Sequence, residues 1–98
     1  MKINQKKENK KLTLQISGRI DSSTAPDFSE FIKGAMVGIE ELVLDFKEVD
    51  YVSSAGLRVL LFAQKTMNSQ GSMTVANVNS DIMETFELTG LTDILTII

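Results

Sequence analysis

From Lys11 to Ile20 the side chains alternate: Leu12, Leu14, Ile16 and Gly18 fall on one side and Thr13, Gln15, Ser17 and Arg19 on the other. That is the pattern of a strand with one buried face. Directly after it the period changes, and Phe28, Phe31, Ile32 and Ala35 recur at the three-and-four spacing of a helix. The same switch from strand period to helix period is made twice more before the last residue. Helices of about ten or more residues between successive strands require crossover connections, which are right-handed and lead to parallel pairing.

Individual elements follow from this rhythm. Residues 2–7 read as a weak first strand, joined to the second by a polar turn with Glu8 and Asn9 near its tip. This hairpin predicts one antiparallel pair, and lysines beside its edge discourage edge-to-edge association. Helix 1 is expected over residues 25–36, with Thr24 as its cap, Pro26 in its first turn and Gly38 as its stop. Residues 41–46 read as a central strand, followed by a loop over 47–50. Helix 2 is expected from Ala55 to about Ser69, stopped by Gly71, with Leu57, Leu60, Leu61, Gln64 and Met67 at helical spacing. A strand over 73–78 precedes helix 3, which Ser80 opens and Thr89-Gly90 closes; Ile82, Met83 and Phe86 face inward. Leu95–Ile98 reads as a last short strand. The expected architecture is a single α/β domain over residues 1–98, ordered β-β-α-β-α-β-α-β, with helices packed on a mixed, mostly parallel sheet.

Composition restricts function more than fold. There is no cysteine and no histidine, which removes disulfides, thiolate nucleophiles, most zinc sites and the usual general base. Residues 1–11 hold five lysines and one glutamate, whereas residues 12–98 hold five basic and twelve acidic side chains. An acidic body repels a phosphate backbone, and the lysine cluster lacks interleaved aromatics, so nucleic acid is not an expected partner. No segment approaches the roughly 18 consecutive apolar residues of a membrane span, and no apolar run follows the N-terminal charges as in a secretory signal. The expected location is the cytoplasm, without membrane insertion.

The stretch from Tyr51 to Leu61, Tyr-Val-Ser-Ser-Ala-Gly-Leu-Arg-Val-Leu-Leu, sets two serines between a strand and a helix. At a helix start, backbone N–H groups lack intrahelical partners and the dipole favours negative charge, so Ser54 is placed where a phosphate is tolerated. Capping alone would account for one serine of the pair. A serine hydrolase fails because the frame is not Gly-x-Ser-x-Gly and no histidine can take the proton; Ser-x-x-Lys fails because Leu57 stands at the lysine position. No glycine-rich nucleotide-binding motif occurs, and Asp21, Asp45, Glu48 and Asp50 match no calcium-loop spacing. No catalytic residue, cofactor or metal site is expected. Strand ends that lead into helices form the ligand-facing edge of such sheets, so the Asp21–Thr24 and Val49–Ser54 segments should form one surface.

The run Asp45–Leu61 resembles the signature of the STAS domain, the fold of bacterial anti-sigma-factor antagonists. Gly18-Arg-Ile-Asp21 resembles the family's segment before its first helix, and Thr89-Gly-Leu91 resembles the one after its third. The resemblance implies a regulatory unit, not an enzyme, phosphorylated on the serine that opens helix 2. Here that is Ser54, with Ser53 as the alternative acceptor, because Ser53 stands where the family commonly has aspartate and Ala55 replaces the following Ser/Thr. It also implies two partners: an anti-sigma factor that is itself a serine kinase, released on phosphorylation, and a PP2C-type phosphatase that resets the switch. The implied docking face comprises Asp21, Ser22, Ser53, Ser54, Gly56, Leu57 and Arg58. Two other readings stand beside it: an unphosphorylated STAS subunit of a larger complex, such as a lipid transporter or stress assembly, and a nucleotide- or small-molecule-binding module.

Overall fold

A computed structural model describes residues 1–98. Strands β1 (Lys2–Glu8) and β2 (Lys11–Ile20) form the hairpin, turned by Asn9 at a φ of 56°. Helix α1 (Ala25–Ala35) leads to β3 (Glu41–Val52), α2 (Ser54–Asn68) to β4 (Ser72–Ala76), and α3 (Ser80–Leu88) follows. The sheet order is β1-β2-β3-β4, antiparallel in the first pair and parallel in the other two. Because β2, β3 and β4 are successive neighbours, both crossovers step the same way, and right-handedness then puts α1 and α2 on one face. The α3 helix shares that face, since the rings of Phe46 and Phe86 lie 6.5 Å apart.

One apolar layer fills the space between sheet and helices. Leu12, Leu14 and Ile16 of β2, Leu42, Leu44 and Phe46 of β3, and Met73 and Val75 of β4 meet Phe28 and Ile32 of α1 and Leu60, Ala63 and Met67 of α2. Each large side chain so buried contributes about 1.5–3 kcal/mol, which is why the alternating strands and amphipathic helices find one register. Opposite this layer, Thr13, Gln15, Ser17, Val43 and Asp45 leave the other sheet face open.

Three expectations are corrected. The β3 strand runs on through the residues read as a loop: two register shifts, between Gln15 and Ser17 and between Gly18 and Arg19, each give β3 one residue more than β2. These bulges stretch its buried spacing to Phe46, Val49 and Val52, which breaks the alternation that marks a strand. Leu95–Ile98 forms no strand. The single-turn helix Leu91–Asp93 occupies the preceding chain and Leu95 is buried in the core, so only the Val75–Ile97 bridge reaches the edge of β4. Thr24 does not cap α1 with its side chain; it closes the preceding loop instead.

Two polar side chains on or after α2 bear on packing. Gln70 donates through Nε2 to the carbonyls of Met36 and Ile39, at 2.7 and 2.6 Å, satisfying backbone acceptors beyond α1. Gln64 is buried and donates to Asn68, but its Oε1 meets no hydrogen-bond donor. A buried acceptor without a partner costs about 1–3 kcal/mol. Gln64→Met keeps the volume and removes that acceptor, so we expect the variant to gain about 1 kcal/mol and to melt about 4–8 °C higher by calorimetry.

Candidate functional site

The ends of β2 and β3 meet at the start of α2. The Ser53 N–H donates to the Ile20 carbonyl at 2.8 Å, tying the strand-to-helix junction to the last residue of β2. One turn on, Gly56 faces the same point. A Cβ there would stand 2.8 Å from Ile20 Cγ2, 2.9 Å from the Ile20 carbonyl oxygen and 2.9 Å from Val52 Cγ1, closer than side chains tolerate. Glycine at this position is therefore a requirement of backbone approach rather than of φ.

The two serines have different jobs. Ser53 is the N-cap, extended at φ −87° and ψ 175°, and its side-chain oxygen accepts from the Gly56 N–H at 3.3 Å. Ser54 is the first residue of the helix and is exposed, and no protein group bonds its hydroxyl. The first turn of α2 contains no acidic side chain, so the positive end of the helix dipole beside Ser54 is unopposed by its own helix. Gly56 and Leu57, expected on the docking face, are instead buried beneath the exposed start of α2; Leu57 is 8% exposed. Arg58 is exposed and makes no ion pair.

Asp21 organises the neighbouring loop. Its Oδ1 accepts from the Ser23 hydroxyl at 2.6 Å, the Ser23 N–H at 3.0 Å and the Thr24 N–H at 3.2 Å. Its Oδ2 lies 3.6 Å from Arg19 Nε. These bonds, the Ser23 hydroxyl foremost, hold the carboxyl at about 2 against its ordinary 3.8. Thr24 Oγ1 accepts from the Asp21 N–H at 2.9 Å and donates to the Arg19 carbonyl, also at 2.9 Å. The carboxylate is thus committed to the turn, leaving exposed Ser22 at the loop's apex.

Arg19 and Tyr51 were not singled out as site residues by sequence, yet they join the ends of β2 and β3. The Arg19 guanidinium lies 4.2 Å from the centre of the half-exposed Tyr51 ring, a cation–π contact between strand partners. Their pairing depends on both bulges of β3, so counting from Gln15 opposite Asp45 would misplace it by two residues. The four carboxylates weighed as a cation site do not gather. Asp45 is turned to Asn77, whose amide donates at 3.0 Å and lowers the Asp45 pKa, helped by the Lys47 N–H and charge. A recess of about 240 Å³ by Asp45, lined by Asn4, Gln15, Ile16, Ser17, Lys47 and Glu48, includes neither Ser53 nor Ser54.

Two tests follow from this geometry. Ser53→Ala should cost about 1 kcal/mol in denaturant unfolding as the cap is lost, whereas Ser54→Ala should stay within about 0.5 kcal/mol of wild type. An NMR titration should place the Asp21 carboxyl midpoint near 2. A depressed folded-state pKa makes its contribution complete above the unfolded value of 3.8 and removes it as pH falls through about 2. Asp21→Asn should flatten the stability profile across that window.

Both the sequence and the fold match known proteins. The family model described as "Mlab, STAS domain" matches residues 3–97. An anti-sigma-B factor antagonist of Listeria monocytogenes is 35% identical over 85 residues, covering 84% of this chain and 74% of its own. Among solved structures, an anti-sigma factor antagonist from Mycobacterium paratuberculosis superposes with a TM-score of 0.88 at 22% identity, covering 98% of this chain and 83% of its own. The phosphorylated form of the Bacillus cell fate determinant SpoIIAA does so with a TM-score of 0.76 at 13% identity, covering 99% and 91%. The matched span and the Listeria relative together establish that this chain belongs to the STAS-domain family.

Proposed function

We propose that this chain is an anti-sigma-factor antagonist, a non-enzymatic cytoplasmic STAS unit over residues 1–98 whose affinity for an anti-sigma-factor kinase is switched off by phosphate on Ser54. The observation that carries this reading is the division of labour at the start of α2. Ser53 accepts the capping bond, so the hydroxyl of Ser54 is free and exposed. The Listeria relative and the SpoIIAA neighbour, the latter solved with phosphate attached, support the reading. A phosphoserine adds about −1.5 to −2 charges. Beside the dipole of α2 that charge is accommodated without unfolding the domain, while a partner docked on the same spot meets new charge and bulk. A PP2C-type phosphatase would restore the free hydroxyl.

Ser22 at the apex of the first loop, Ser53, Ser54 and Arg58 would meet the partner, with Asp21 holding the loop's shape and Gly56 and Leu57 the helix's position. A second reading, a STAS subunit that docks in a larger assembly with Ser54 unmodified, is favoured by Ser53 at the position where the family commonly has aspartate. Incubation with the anti-sigma-factor kinase of the same organism and ATP, followed by intact mass and peptide mapping, separates the two. One phosphate on Ser54 is expected, absent in Ser54→Ala; an unmodified chain would leave the subunit reading. Ser54→Asp should bind the kinase at least tenfold more weakly, about 1.4 kcal/mol, with its melting temperature unchanged.

A further inference from the structure

Ser54 is the top of a longer feature. Ser54, Arg58, Phe62 and Lys65 follow each other at steps of four, four and three residues, and Leu61 lies three after Arg58 and four before Lys65, so they line one face of α2. Ser54, Arg58, Phe62 and Lys65 are exposed and Leu61 is half-buried. Phe62 is 42% exposed, an uncommon position for a large aromatic, with Lys33 of α1 reaching over its ring at 5.4 Å. The charge of this face is one-sided. The fifteen residues of α2 include Arg58 and Lys65 and no carboxylate, although residues 12–98 hold twelve acidic side chains against five basic ones. Neither Arg58 nor Lys65 has an ion-pair partner; of the hairpin lysines, Lys6, Lys10 and Lys11 are each paired with a glutamate and Lys2 and Lys7 are not.

We infer that this ridge is the main docking surface of the chain, and that its occupant is an acidic surface of the anti-sigma factor with an apolar pocket for Phe62. The inference rests on the phosphoswitch reading and gives it a sign. Two uncompensated cations on α2 attract carboxylates; a phosphate of about −1.5 to −2 on Ser54, one helical turn from Arg58, brings the charge of the ridge close to zero. Phosphorylation would then repel an acidic partner at one end and remove the attraction along the rest. Against a basic partner the same phosphate would strengthen binding. Phe62 supplies the aromatic anchor, Arg58 and Lys65 its charged rim, a distribution common to strong interface contacts.

The test is calorimetry with the purified anti-sigma-factor kinase of the same organism against wild type, Arg58→Glu, Lys65→Glu, Phe62→Ala and, as a control on the acidic helix α3, Glu87→Lys. The first three variants should each lose at least tenfold in affinity and the control should stay within twofold. Wild-type affinity should also fall as salt is raised. All four side chains are exposed, and equal melting temperatures will confirm intact folding. If Arg58→Glu and Lys65→Glu bind like wild type, or Glu87→Lys is as damaging as they are, the ridge is overturned. Weak binding of the ridge variants with full binding of Ser54→Asp would keep the ridge and sink the switch; the converse pattern would keep the switch alone. A kinase that binds no form of the chain overturns both. Light scattering that shows self-association lost in Arg58→Glu would assign the ridge to the α3 carboxylates Asp81, Glu84 and Glu87 of a second copy, and overturn the partner proposed.

Discussion

The approach of Ile20 to the first turn of α2 is the contact on which the surface depends. The Ile20 carbonyl takes the Ser53 N–H, and Gly56, with no Cβ, lets the helix start press against the end of β2. One backbone bond and one missing side chain thus set the distance between the end of β2, with the loop that follows it, and the β3–α2 junction, which is remote in sequence. Ile20 and Val52, both buried, anchor the strands on either side of that bond, so the packed core positions the junction as firmly as it positions the sheet. The polar groups above it inherit that position.

What they inherit is a separation of structural and available groups. Ser53, Asp21 and Thr24 accept from local N–H and O–H donors, and the Ser23 hydroxyl donates to Asp21, so these groups are used within the chain. Ser22, Ser54 and Arg58 are exposed and are not used in this way. A helix start needs a cap for its orphan donors, and a single serine serving as both cap and phospho-acceptor would give up the capping bond on modification. With the cap on Ser53, the phosphate proposed for Ser54 would leave the capping bond in place. The Arg19–Tyr51 contact braces the two strand ends beside this pair.

Electrostatics and packing also divide by face. The sheet buries one face under three helices and leaves the other open, with Asp45 tied to Asn77 there. The outward side of α2 is different in kind, because it presents cations and an aromatic ring on a chain whose body is acidic. That contrast separates a surface suited to a partner from one that is merely solvated.

Much of this was legible in the order of residues. The change from strand to helix period was enough for the α/β class, the hairpin and the parallel crossovers, because burial of one face is a local pattern with a fixed repeat. Val-Ser-Ser-Ala-Gly-Leu likewise marked the helix start. Other features depended on contacts between distant residues. The bulges hid residues 47–50 of β3, since an inserted residue breaks the repeat that identifies a strand. Which serine caps depended on where the first turn of α2 begins, and why Gly56 lacks a side chain and how Arg19 meets Tyr51 were decided only when Ile20, Val52 and α2 were brought together, because steric room and strand register are set between elements.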